Sequence, residues 1–272
     1  MALGLCSIPF GKALACSADT PCSVDGGEYY IALPDKKDDP LPAVLYIHGY
    51  GGSPTGALQN DRMVQPFLDR GYAVIAPQGL NFPGGTISGW SFHPDRPKRR
   101  DEVAFLNTVR EAAVDDHGLD PERVILTGFS IGGSMTSYLA CEAPESFSAY
   151  APLGGSFWRP HPTDCNGPVR LLHTHGWTDG TVPLEGRAVR GENIYDPEAF
   201  VQGDVFHALE IWRRANGCVH SKADRFVTDG PFWRRIWDRC TEGSALEFAM
   251  FPRGHIIPEG WADMMLDWFE GL

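Results

Sequence analysis

The sequence predicts an α/β chain with a mostly parallel central sheet flanked by helices. Two observations carry this expectation. Short apolar runs that end at glycine or a turn residue recur along the chain, at AVLYIHG, YAVIAPQG, RVILTGFS, VRLLHTHG and ALEFAMFPRG, and longer stretches of helical periodicity separate them. Strands covered on both faces need near-continuous apolar runs, and an intervening helix returns the chain so that the next strand runs parallel to the last.

Taken in order, Glu28 to Leu33 alternates apolar and polar residues and reads as an early antiparallel edge strand. Helices are expected over Ala57 to Arg70, Asp101 to His117, Ile131 to Glu142, Asp204 to Asn216 and Gly260 to Phe269, with Ser148 to Leu153 as a further strand. Two irregular stretches, 81–100 and 186–203, are rich in Gly, Pro and charge and are long for simple connections. In open α/β sheets ligands bind beyond the carboxyl ends of the strands, so both stretches are candidate cleft walls. The clustering of Trp90, Phe92 and His93 favours the first; for the second, surface decoration is an equal alternative.

The 272 residues, 43% hydrophobic and 21% charged, suit one globular domain over residues 16–272 with a single large core. No apolar run approaches the roughly 20 residues that cross a bilayer, and no repeat or low-complexity tract is visible. A formal net charge of −12 repels phosphate backbones and anionic lipid surfaces, so nucleic acid is not expected as a partner, and no membrane span is expected. The local basic cluster Arg96, Lys98, Arg99 and Arg100 reads as a solvated loop entering a helix.

Residues 1–15 read as a candidate signal segment, because an apolar stretch leads to Ala13-Leu14-Ala15, a small-x-small cleavage pattern, although the n-region lacks Lys or Arg. A secreted or periplasmic protein is therefore expected, with a cytoplasmic one as the alternative. Ala13 stands where a lipobox prefers Leu, which argues against lipid attachment at Cys16. Of the seven cysteines, Cys16 with Cys22 and Cys218 with Cys240 are expected to pair, since both pairs lie in loop regions. The second pair would close a loop of about 20 residues and contribute roughly 3 kcal/mol. Cys141, within SYLACEAP, reads as a small apolar residue on a helix face. No CxxC or HExxH spacing occurs, and neither a metal nor a cofactor is expected.

Gly128-Phe129-Ser130-Ile131-Gly132 matches G-x-S-x-G between the strand-like RVILT and the helix-like MTSYLACE, the strand-turn-helix setting of a nucleophile elbow. The glycines let strand and helix approach around a strained turn, and the helix N-terminus aims free N–H groups at Ser130, so the Ile131 N–H is one expected oxyanion donor. The second should come from the loop after AVLY, in His48-Gly49-Tyr50-Gly51-Gly52-Ser53. The Tyr50 N–H is preferred there and that of Gly51 is the alternative.

Chain order in this arrangement is nucleophile, acid, histidine. Asp179 follows the apolar run Val169 to Thr174 at a strand's carboxyl end and is preferred over Asp164, Asp196 and Asp204, which lie in loops or at helix starts. His255 leaves the last strand and is the only histidine after it, whereas His48, His93, His173 and His175 read as structural. In this reading His255 takes the serine proton during attack, returns it to the leaving alcohol and later activates water, while Asp179 orients the imidazole. A protonated imidazole cannot do this, so activity is expected to fall as pH drops through roughly 6 to 7.

The segments HGYGGS (48–53), RRDEVAFL (99–106), GFSIGGSM (128–135), HGWTDGTVP (175–183) and NGC (216–218), followed by PRGH, resemble the polyhydroxybutyrate depolymerase-like branch of the α/β-hydrolases, which also holds feruloyl and acetylxylan esterases. The resemblance runs from about Cys16 to the C-terminus. It implies the α/β-hydrolase fold, secreted or periplasmic ester cleavage and Ser130, Asp179 and His255 as the triad. PRGHIIPEG departs from the branch's Gly-rich stretch around the histidine, and no appended substrate-binding domain follows Leu272. An esterase for small or oligomeric esters is therefore expected over a polymer-surface depolymerase.

The leading expectation is hydrolysis of feruloyl or acetyl esters or short hydroxyalkanoate oligomers, with Trp90 and Trp177 as candidate substrate contacts and Trp158 a weaker one. A serine peptidase, an acyltransferase and a catalytically silent binding module are the alternatives. A chain of this length has no room for a large peptidase gating domain, and retention of every expected catalytic group argues against silence.

Overall fold

The computed structural model of the protein describes residues 16–35 and 40–272. The candidate signal segment, residues 1–15, lies outside the described residues.

The chain opens with the antiparallel strands β1 (Cys22–Val24) and β2 (Gly27–Ala32), then enters the fully buried β3 (Leu41–Ile47). The single helix expected over 57–70 is two, α1 (Pro54–Leu58) and α2 (Asp61–Asp69), because Ser53 caps the Gly56 N–H and Pro54 starts a turn that stops at Gln59. β4 (Ala73–Pro77) follows. The hairpin of β5 (Leu80–Asn81) and β6 (Ser88–Gly89) opens the irregular 81–100 stretch. Asp101 caps α3 (Glu102–His117) through the Ala104 N–H, and Gly118 ends it in the left-handed region at φ 68°. β7 (Leu119–Phe129) then runs straight into α4 (Ile131–Glu142).

The remaining strands are β8 (Ala149–Leu153), β9 (Arg170–Gly176), the small hairpin of β10 (Arg187–Ala188) and β11 (Val201–Gln202), then β12 (Arg225–Asp229), β13 (Phe232–Trp237) and β14 (Ala245–Phe251). Helix α5 (Val205–Ala215), capped by Asp204, precedes β12, and α6 (Trp261–Glu270) closes the chain. Ten strands form one sheet in the order β1-β2-β4-β3-β7-β8-β9-β14-β13-β12. Its six central strands, β4 to β14 in that order, are parallel, and antiparallel pairs flank them at both ends.

One apolar cluster fills the face where Phe105, Leu139 and Trp212 of α3, α4 and α5 pack; another fills the face of Phe67 and Trp261 of α2 and α6. Consecutive β7 residues divide between them, Leu126 to the first and Ile125 to the second, as the pleat requires. The outer hairpin β12–β13 was not among the expected strands. Its burial is that of an edge ribbon, with Phe226 and Trp233 exposed.

Two further readings are corrected. Cys141 is not a free apolar residue: it is disulfide-bonded to Cys165, tying α4 to the segment before β9, while Cys16–Cys22 and Cys218–Cys240 pair as expected. The basic cluster is not simply a solvated loop. The Arg100 side chain is 8% exposed and grips the 1%-exposed Glu102 with two donors, at 2.9 and 2.7 Å, and it also donates to the carbonyls of Gly26 and Gln78. Arg99 donates to the carbonyls of Leu80 and Asn81 and lies over the Phe82 ring.

Candidate active site

Ser130 sits at the carboxyl end of β7 with φ 61° and ψ −123°, and it is the only non-glycine residue with positive φ among the described residues. Such a conformation costs roughly 1–3 kcal/mol and persists only where its surroundings dictate it. Here the dictation is steric. A Cβ on Gly132 would stand 2.1 Å from the Ile47 carbonyl oxygen, and one on Gly128 would stand 2.5 Å from the Gly132 backbone, so β7, α4 and β3 meet backbone to backbone. The Ser130 N–H donates to the Leu153 carbonyl at 2.9 Å, fixing the elbow against β8.

Of the two expected oxyanion donors, Ile131 follows Ser130 at this turn and Tyr50 lies in the loop after β3. The N–H groups of Ile131 and Tyr50 have no hydrogen-bond partner among the described residues. The alternative donor, Gly51, is already committed: its N–H bonds to the Ser88 carbonyl at 2.9 Å. A Cβ built on Gly49 would lie 3.4 Å from Cβ of Ser130, which puts this loop against Ser130. His48 holds the loop in shape. Its Nδ1 donates to the Gly49 carbonyl at 2.8 Å and its Nε2 accepts the Gly79 N–H at 3.1 Å, so both nitrogens of a neutral ring are used. Burial keeps the His48 imidazole below its ordinary pKa, against the raising effect of the Gly49 bond.

Asp179 and His255 are brought together by the turns after β9 and β14. His255 Nδ1 donates to Asp179 Oδ2 at 2.7 Å, and Oδ1 accepts the N–H groups of Thr181 and Val182 at 2.9 and 2.8 Å. Burial pushes the Asp179 carboxyl up, but the bonds from His255 and Val182 outweigh it and hold the group below the usual carboxylate range. The two turns are also stitched together, since Trp177 N–H donates to the Phe251 carbonyl at 2.8 Å and Thr178 N–H to that of Arg253 at 3.1 Å. The His255 ring packs on Phe129 with centroids 4.6 Å apart, next to Ser130 in the chain. No hydrogen bond joins Ser130 Oγ to His255 among the described residues. In substrate-free sites this bond is often loose and tightens in the complex.

The two tryptophans expected to touch substrate divide. Trp177 is 55% exposed on the acid's own turn. Trp90 is 3% exposed: its Nε1 donates to the His48 carbonyl at 2.9 Å, so it braces the His48–Ser53 loop from behind rather than facing an open cleft. Trp158 is also buried and donates to Ser134 Oγ at 3.1 Å. Phe82 packs on the exposed Tyr50 with centroids 5.5 Å apart, and Phe200 of the second irregular stretch packs against His93 and Trp158 at 4.9 and 4.6 Å. His173 and His175, which the sequence reads as structural, lie behind Asp179, with His175 Nε2 3.6 Å from Oδ2; the spacing in HGWTDG, His175 four residues before Asp179, is the signal of that contact.

The family model described as alpha/beta hydrolase fold matches residues 42–244. Feruloyl esterase C of Emericella nidulans is 30% identical over 71% of this chain and 68% of its own length. The probable feruloyl esterase C of Aspergillus niger is 30% identical over 85% of this chain and 77% of its own. Among solved structures, an acetyl xylan esterase from Aspergillus awamori superposes with a TM-score of 0.66 at 17% identity, covering 91% of this chain and 95% of that one, a likeness of fold. The chain belongs to the alpha/beta hydrolase fold family, in the serine carboxylic-ester hydrolase branch that holds the feruloyl esterases C.

Proposed function

We propose that the chain hydrolyses feruloyl and acetyl esters through an acyl-enzyme on Ser130, with His255 as general base and Asp179 as the acid that orients it. One observation carries the reading: a strained serine and a 2.7 Å carboxylate–imidazole bond stand at the carboxyl ends of neighbouring parallel strands. Attack by Ser130 Oγ on the acyl carbon transfers its proton to His255 Nε2, and the Ile131 and Tyr50 N–H groups receive the negative charge that develops on the carbonyl oxygen. His255 then protonates the departing alcohol. Water repeats the sequence and frees the acid, and the imidazolium formed at each step is steadied by Asp179.

The substrate class rests on the relatives named above and on two aromatic side chains at the rim, Tyr50 at 62% and Trp177 at 55% exposure, which offer apolar faces to an acyl group. Short hydroxyalkanoate oligomers are the second class of ester this rim would take. Three disulfides fit an oxidising compartment, and we read the chain as exported.

The test is a panel of feruloyl, acetyl and 3-hydroxybutyrate oligomer esters run on the wild type beside Ser130→Ala. Loss of turnover by a factor on the order of 10⁶ is expected for the variant. Unchanged turnover removes Ser130 as nucleophile, acyl capture only with added alcohol makes the chain a transferase, and no turnover by the wild type makes it a binding module.

A further inference from the structure

β9 is buried on both faces, yet it carries two histidines two residues apart, on one side of the strand, where a parallel core strand ordinarily holds Val or Ile. Their hydrogen bonds fix every proton. The Val182 carbonyl can only accept, so the 2.7 Å contact from His175 Nε2 puts the proton on that nitrogen. Nδ1 of His175 is then the acceptor, and His173 Nε2, 3.0 Å away, is its donor. His173 Nδ1 is left as a buried lone pair without a partner among the described residues, which a neutral ring tolerates and a protonated one does not.

The column ends on the acid. Val182, held through its carbonyl by His175, gives its own N–H to Asp179 Oδ1 at 2.8 Å, and His175 Nε2 itself lies 3.6 Å from Oδ2, the oxygen that accepts the hydrogen bond from His255 Nδ1. We propose that His175 is a positioning residue for Asp179, locked by His173 in the tautomer that pins the Val182 turn and presents an N–H pole to the carboxylate. This rests on the reading of Asp179 and His255 as acid and base. Neither histidine reaches the substrate side of the rim, so their removal acts on the chemical step through the placement of Asp179.

The experiment is hydrolysis of p-nitrophenyl acetate by the full chain, with rates expressed per active site titrated by an organophosphate, so that only folded sites are compared. His175→Phe is expected to lower kcat on the order of 10²-fold while KM stays within about a factor of two. His175→Gln, whose amide reaches as far as Nε2 and can donate to the Val182 carbonyl, is expected to recover about tenfold of that loss, whereas the shorter His175→Asn is not. A kcat for His175→Phe within about twofold of wild type overturns the proposal, as does equal activity of the Gln and Asn variants. The Gln and Asn pair also decides the matter if the Phe variant yields no folded protein. Asp179→Asn is run alongside. If it keeps full turnover, the acid assignment is what fails; if it is inactive while His175→Phe is not, only the role of His175 fails.

Discussion

The nucleophile elbow is flanked by two buried polar clusters that solve one problem in opposite ways. On the side of the oxyanion loop, Arg100 and Glu102 are interred as a bidentate ion pair. Burial drags the Arg100 pKa down and pushes that of Glu102 up, so each charge persists only because the other cancels it and further partners, the Ser91 N–H among them, complete the set. On the side of the acid, His173 and His175 are interred without charge. Burial lowers both, His173 well below its ordinary value. The ion pair is therefore vulnerable to loss of a partner, and the histidine column to gain of a proton.

The largest effect should follow from breaking the charged cluster. Glu102→Ala leaves the Arg100 guanidinium buried beside Phe105 and Trp90 with no counter-charge, and a loss of about 3–5 kcal/mol is expected. Denaturant unfolding measures it, and a loss below about 1 kcal/mol would mean that water or a rearranged loop has rescued the arginine. The neutral column should respond to acid instead. A histidine whose folded pKa lies below its unfolded value of about 6.5 contributes stability that is complete above that pH and is lost as pH falls toward the folded value. Each of His48, His173 and His175 adds up to about 1.4 kcal/mol per pH unit to that slope. Stability measured between pH 7 and 5 should thus fall less steeply in His173→Phe than in the wild type, and an unchanged slope would show that this ring does not stay neutral in the fold. The smallest effect on the fold should come from Trp177→Ala, outside both clusters. Its stability should stay within about 0.5 kcal/mol of wild type while KM for a feruloyl ester rises; an unchanged KM would remove Trp177 from the substrate's path.

What the sequence disclosed, and what it hid, follows the range of the interactions. Ser130, Asp179 and His255 could be proposed from the sequence because each sits where an apolar run meets a turn, and chain order limits how such residues can be assigned. The helix caps Asp101 and Asp204 announced themselves for the same local reason. Cys141–Cys165 was hidden, since a cysteine on a helix gives no sign that a partner 24 residues on folds back beside it. Trp90 could be a brace or a contact until the His48 carbonyl was found at its indole nitrogen. The β12–β13 ribbon, which carries Arg225, Arg234 and Arg235, has the polarity of a loop because it lies at the sheet's edge. The basic run before α3 looks solvated until Gly26 and Gln78, far away in the chain, supply the carbonyls that Arg100 holds.

The bare contact of Gly132 with Ile47 has a consequence for how such an enzyme changes its diet. In the proposed mechanism, the gap between attacking oxygen and charge-receiving loop is gauged by main chain against main chain, with no side chain at Gly132 to trim or enlarge. Exchange of residues has little purchase on it. If Ser130 is the nucleophile, new esters are accommodated farther out, by side chains around the site, while the spacing that breaks the bond is inherited whole.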